Sequence, residues 1–89
     1  MLVLSINAIN QIPLVVTVVV GTKGENVPHD YPTNVRVTPA ESGLPRETVF
    51  LCFQIRSLDQ QRFPNQAAGR LTDPALKRIE EAIRYCLGL

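Results

Sequence analysis

The sequence predicts a small α+β or mainly-β domain of barrel-like type. Three observations carry that prediction. A near-continuous valine run occupies residues 14–20, a second stretch alternates apolar and polar residues around Val35–Val37 with a further strand-like stretch around Val49–Phe53, and one well-capped amphipathic helix closes the chain. Strands first and a helix last is the order of an α+β fold, not of alternating β-α units. No repeat and no interdomain linker interrupts it, so residues 1–89 are expected to form a single domain.

Taken in order, Met1 to Ile6 reads as a strand of Leu, Val and Ile that starts with no turn or cap before it. Asn7 to Gln11 is rich in Asn and reads as a turn. Pro13 then opens a second strand, Leu14 to Val20, with valine at five of its seven positions. Such content signals burial on both faces and weighs against a helix, because β-branched side chains are stiff at χ1. Gly21 to Tyr31 reads as a loop, broken by Gly21, Gly24, Asn26, Pro28 and His29-Asp30. Pro32 to Thr38 alternates as a half-buried strand. Pro39 to Arg46 is a loop, and Glu47 to Ile55 a strand with Val49, Leu51 and Phe53 on one face. Ser57 to Phe63 reads as a turn region, and Ala67 to Leu71 as a short strand. In the final helix Asp73 is the expected N-cap and Pro74 the first helical residue. Leu76, Ile79, Ile83, Cys86 and Leu87 form its apolar face, while Lys77, Glu80, Glu81 and Arg84 face water. Gly88 is the natural residue to end it.

Composition excludes several classes of function. A net charge of +1 is not the broad basic footprint of a duplex-DNA binder, so any nucleic-acid contact should be local and short. Cys52 and Cys86 stand 34 residues apart without a CxxC, and His29 is the single histidine. That inventory assembles no zinc site, and no metal or other cofactor is expected. Both cysteines lie among apolar neighbours and read as buried small hydrophobes, consistent with a reducing cytoplasm. The apolar run Ile12 to Val20 is too short to cross a membrane, and no signal peptide is recognisable. A chain this short and apolar often completes its core across a dimer interface.

Several segments then match one pattern in order. Leu2-Val3-Leu4-Ser5 followed by Asn10 resembles the "PVLVLS…N" strand and turn of MazF/PemK-type toxins. Val18-Val19-Val20-Gly21-Thr22 resembles their "VVVPxT" strand end, one residue shorter and with Gly21 in place of proline. Tyr31-Pro32-Thr33-Asn34-Val35 is similar to "FPTHV", Gly43 to Val49 to "GLPRDSV", and Gln54 to Asp59 to "QVRTVD". Gly69-Arg70-Leu71 matches "GRL", and the chain ends in the family's "LGL" at Leu87-Gly88-Leu89. Each motif is short, and their common order over the whole chain carries the resemblance. It implies an SH3-like twisted antiparallel barrel (MazF/CcdB-type) with a C-terminal helix, forming a homodimer. It also implies the toxin of a type II toxin–antitoxin system, a sequence-specific, metal-independent endoribonuclease that cuts single-stranded mRNA and is neutralised by a cognate antitoxin.

The resemblance assigns phosphate stabilisation to an arginine just before the "PVLVLS" strand and to a threonine or serine at the "VVVPxT" strand end. Thr22 matches the threonine and is the candidate catalytic residue, flanked by Gly21 and Gly24, which would let a backbone approach a phosphate. The arginine has no match: counting back from Ser5, it would fall two positions before Met1, so the chain is expected to be truncated by one strand and one loop. Lys23 is a candidate RNA contact or a solvated loop lysine. Arg56 either contacts RNA or forms an ion pair, for which Asp59 is the nearest acid; Gln54 either reads a base edge or bridges strands. His29 is a surface loop histidine or a general base, Tyr31 and Phe63 pack at the core or stack bases, and Thr17 packs within its strand. Two alternatives to an active nuclease follow: a catalytically degenerate toxin-like protein that only dimerises or binds an antitoxin, and a gyrase-poisoning toxin built on the same barrel. The nuclease-type "LGL" ending argues against the second.

Overall fold

A computed structural model describes residues 1–4, 15–59 and 67–89, with Val15 and Val16 described by their backbone alone. The strands are β1 (Leu2–Val3), β2 (Val15–Lys23), β3 (Asn34–Val37) and β4 (Thr48–Asp59); the helices are α1 (Pro39–Ser42) and α2 (Asp73–Leu87). All described strand pairs are antiparallel, in the order β1-β2-β4-β3. The sheet curls into a half-barrel, and α2 packs on one face. Its curl is concentrated where β2 and β4 fall out of step. Val19 faces Ile55, but the next residue, Val20, faces Leu51, so Cys52 to Gln54 of β4 have no opposite number. Extra residues of this kind bend the strand that carries them and increase its twist.

The valine run forms the centre of the sheet, as expected. Val18 and Val19 point to opposite faces and neither is exposed to solvent. On the helix side Val19, Val35, Val37, Phe50 and Cys52 pack against Ile79 and Ala82 of α2, with Leu2, Leu4, Ile55, Leu71, Ile83 and Cys86 around them. Burial pushes the Cys52 thiol up to about 11, with Cys86 nearby adding to the shift. No described helix is long and apolar enough to cross a membrane.

Several element boundaries differ from those expected. β2 runs on through Gly21, Thr22 and Lys23, because their partners Phe50, Val49 and Thr48 hold them in the ladder against the local loop tendency of glycine. β4 likewise continues through Arg56 and Ser57 to Asp59, opposite Val15 to Val18, where a turn was expected. Pro32 and Thr33 lie outside β3, and the segment 67–71 is irregular rather than a strand. Within the expected loop 39–46, α1 forms a full capping box. The Thr38 side chain accepts from the Glu41 amide, Glu41 accepts from the Thr38 amide, and Gly43 ends the turn at φ 74°. The expected turn at 7–11, Pro13 and Phe63 lie outside the described residues.

The helix α2 begins one residue earlier than the sequence reading placed it. Thr72 is the N-cap, extended at φ −66°, and its carbonyl accepts from Leu76. Asp73 and Pro74 therefore fill the first turn. The buried face is also rotated. Ala75, Ile79 and Ala82 are the buried positions, Ile83 and Cys86 flank them, and Leu76 and Leu87 stay 38% and 57% exposed. Small alanines let the helix axis approach the sheet, an effect invisible to a count of large apolar residues. Gly88 ends α2 at φ 72°, as expected.

Glu41 ties these parts together. Its carboxylate accepts from the Thr38 amide and from the Arg78 guanidinium on α2, while its backbone carbonyl accepts from Thr72. The Thr38 amide bond holds the Glu41 carboxyl below its ordinary value, with Arg78 assisting. A depressed carboxyl contributes stability above its unfolded value and loses it as pH falls through the folded one. Glu41→Gln should therefore lower the melting temperature at pH 7 and leave it close to parent once the pH has fallen below the depressed folded-state value. Parallel losses at both pH values in thermal melts would show that the charge plays no part.

Candidate functional site

Thr22 is the penultimate residue of β2. Across the sheet it stands beside Val49 of β4, which stands beside Arg36 of β3, so Thr22, Val49 and Arg36 form one row on one face. Beyond Lys23 the chain turns through one short 3-10 turn, Gly24–Asn26. From within that turn Asn26 Nδ2 donates to Thr22 Oγ1 at 3.0 Å.

Arg36 holds the turn in place. Its Nη1 donates to the Gly24 carbonyl at 3.1 Å and to Glu47 Oε1 at 2.8 Å, its Nη2 donates to the Val27 carbonyl, and its Nε donates to Asp30 Oδ1 at 3.0 Å. A planar guanidinium suits this task because its donors lie in a fixed fork. Hydrogen bonds to Glu47 and then Asp30 push the Arg36 pKa up, so the cation is permanent. The Gly24 amide closes the arrangement by donating to the Glu47 carbonyl at 3.0 Å.

Both glycines beside Thr22 serve packing. A Cβ at Gly21 would meet the Phe50 ring at 3.0 Å, and one at Gly24 would meet Glu47 Oε1 at 2.3 Å. The space expected for an approaching phosphate is thus filled at both positions by this chain's own side chains. A phosphate would have to reach the Thr22 hydroxyl from the end of β2, where Lys23, Glu25 and Asn26 are exposed.

The other candidates are spread out. Lys23 is exposed, and its register with Thr48 and Val37 places it on the face opposite Thr22. Its ammonium makes no ion pair with any described residue. Arg56 faces Val18, four residues before Thr22 on β2, or about 13 Å of strand. Arg56 Nη2 donates to Gln54 Oε1 at 3.2 Å, and Gln54 sits in the out-of-step segment of β4. The structure therefore brings Gln54 and Arg56 together and Thr22 and Asn26 together, as two stations on one sheet. His29 and Tyr31 are exposed in the loop before β3.

Sequence reasoning passed over Arg36, Glu47 and Asn26. An arginine between two buried valines was a usable signal, because alternation must send it to the face opposite the core. Its partners are scattered in sequence, and Asn26 registered only as a loop former. A separate open groove of about 460 Å³ runs between β3 and α2, lined by Asp30, Asn34, Arg36, Arg78, Glu81 and Tyr85 among others. It includes none of Thr22, Lys23, Gln54 or Arg56, so it is not the candidate site. Among the described residues no cluster of three or more His, Cys, Asp or Glu could hold a metal.

Residues 1–87 match the family model described as PemK-like, MazF-like toxin of type II toxin-antitoxin system. Endoribonuclease EndoA of Bacillus subtilis is 33% identical over 58 residues, covering 65% of this chain and 49% of that protein. The matched region thus spans about half the length of the curated relative. Among solved structures, a mycobacterial endoribonuclease in complex with its cognate antitoxin superposes with a TM-score of 0.81 at 24% identity, covering 98% of this chain and 78% of that one. The Mycobacterium tuberculosis toxin MazF-mt6 gives 0.81 at 23% identity, covering 99% and 84%. At these identities the structural likeness establishes the fold.

Proposed function

The chain belongs to the PemK-like, MazF-like family of type II toxin–antitoxin toxins, and from that premise we propose that it is a metal-independent endoribonuclease that cuts single-stranded mRNA at a short sequence. The observation that carries the reading is the family match over residues 1–87, with Thr22 half-buried at the end of β2. Cleavage without a metal needs few groups. The ribose 2′-oxygen loses its proton to a base and bonds to the adjacent phosphorus, the bond from phosphorus to the 5′-oxygen breaks, and that oxygen leaves with a proton. The products are a 2′,3′-cyclic phosphate and a free 5′-hydroxyl.

In this scheme Thr22 donates its hydroxyl proton in a hydrogen bond to a non-bridging phosphate oxygen, where charge builds up in the transition state. Arg56 and Gln54, on β4 along the same sheet, hold the neighbouring nucleotide by its phosphate and base edge. Lys23 screens the strand end from the opposite face, reaching round on its flexible stem. The partners are single-stranded RNA, a second copy of the chain and a cognate antitoxin, and the compartment is the cytoplasm. A supporting parallel is that one similar mycobacterial protein was solved with its cognate antitoxin.

The test is cleavage of single-stranded RNA in excess EDTA by the parent chain and by Thr22→Ala. Loss of one positioned donor should slow single-turnover cleavage by about 10²–10³-fold. Equal rates in the two proteins would remove Thr22 from the mechanism. No cleavage by either, with antitoxin binding intact, would favour the degenerate-toxin reading.

A further inference from the structure

A threonine hydroxyl has one proton to give and lone pairs that accept, and left alone it rotates freely between these uses. Thr22 is not left alone. Asn26 Nδ2 donates to Thr22 Oγ1 at 3.0 Å, so the amide occupies the accepting side of the oxygen. The Thr22 proton must then point away from Asn26. We propose that Asn26 is a positioning residue that fixes the Thr22 hydroxyl as a hydrogen-bond donor toward the phosphate.

Three observations support the assignment. The bond spans four residues, from the last residue of the 3-10 turn back to the strand, so it needs that turn to keep its shape. Arg36 fixes both ends of that turn, binding the Gly24 carbonyl and the Val27 carbonyl with one guanidinium. Asp30 and Glu47 hold the guanidinium in turn, so the arrangement is braced from two sides. A freely rotating hydroxyl would spend part of its time turned away from a bound phosphate. An amide donor on the oxygen removes that freedom before RNA arrives, which is preorganisation in the sense that matters for a transition-state donor.

The inference rests on the reading of Thr22 as the phosphate donor, and the experiment separates the two. The substitution is Asn26→Asp, which keeps size and replaces a donor by an acceptor. At pH 7 the new carboxylate should attract the Thr22 proton and slow single-turnover cleavage about a hundredfold. The ratio to parent should recover as pH falls through about 4, where the carboxyl regains a proton to donate. In a Thr22→Ala background the same substitution should change the rate little, because the group it acts through is gone. A carboxylate that merely repels RNA would slow the Thr22→Ala protein by the same factor, and that result overturns the proposal. Thr22→Ala cleaving at the parent rate would instead overturn the underlying reading. A measurement on the protein alone completes the set: in Asn26→Asp the Thr22 γ-methyl resonance should move with the titration of the new carboxyl. A flat methyl shift across that titration would overturn the contact, whether or not the chain cleaves RNA.

Discussion

Gly69→Ala should destabilise the protein by about 3 kcal/mol, although Gly69 lies at the surface. A Cβ at this position would stand 2.2 Å from the Ser42 carbonyl oxygen and 3.4 Å from the Gly43 carbonyl carbon. Those are backbone atoms at the end of α1, whose own geometry is fixed by the capping box and by Gly43 in the left-handed region. Neither side can yield cheaply. Moving the 69–72 segment away would also stretch the Thr72 amide bond to the Glu41 carbonyl, now 2.9 Å, which seats the start of α2. For a domain of this size the loss corresponds to a fall in melting temperature of roughly 12–24 °C. Gly88→Ala is the informative comparison. Gly88 has the positive φ that Gly69 lacks, and no described residue lies within 4 Å of its Cβ position, so only backbone strain of about 1–2 kcal/mol is expected. Equal melting temperatures for the two variants would mean that the close approach at Gly69 relaxes freely.

Ile79→Ala should cost a similar amount, about 2–5 kcal/mol, for a different reason. Ile79 is fully buried at the centre of the contact between α2 and the sheet, packed with Val19, Val35, Val37, Phe50 and Cys52. The sheet around it is cross-linked by its ladder and cannot collapse into the space, so a cavity remains. Leu76→Ala, on the face the sequence pattern had ranked equal, should cost under about 1 kcal/mol because Leu76 is already 38% exposed. Chemical denaturation of both variants decides the matter. A Leu76 loss as large as that of Ile79 would restore the unrotated face expected from the pattern. Against a total stability of about 5–15 kcal/mol, the Ile79 variant should sit near the edge of folding at physiological temperature.

These two positions also illustrate what a sequence can disclose. Ile79 was legible, since it falls on an apolar stripe with helical spacing. Ala75 and Ala82 were not, because their contribution is absence of bulk. The valine run betrayed a strand buried on both faces, and Gly88 betrayed a helix end, because each needs only its own chemistry. The out-of-step pairing of β2 and β4 was hidden, since it depends on which of two strands carries extra residues. The same holds for the candidate site. Thr22 emerged through a family resemblance and its place at a strand end. Its neighbours did not, because Arg36 meets Glu47 only after β3 pairs with β4. Gly21 and Gly24 were read as room for a ligand, whereas tertiary packing fills that room with Phe50 and Glu47. Lys23 stands next to Thr22 in sequence yet on the other face, a consequence of β2 extending three residues beyond its apparent end. The "GRL" motif had no physical account until Gly69 met the Ser42 carbonyl.

Arg78 has one more consequence, and it concerns the order in which the chain is made. β3 lies at the margin of the sheet, with its outward carbonyls available to any passing strand. The Arg36 carbonyl is met there by Arg78 Nη1 of α2 at 3.3 Å, across 42 residues of chain. The protecting side chain is therefore synthesised well after the edge it protects. At about 5–20 residues per second, the gap between them on the ribosome is roughly 2–8 s. Through that interval the Arg36 carbonyl lacks its Arg78 partner, which arrives only with the helix.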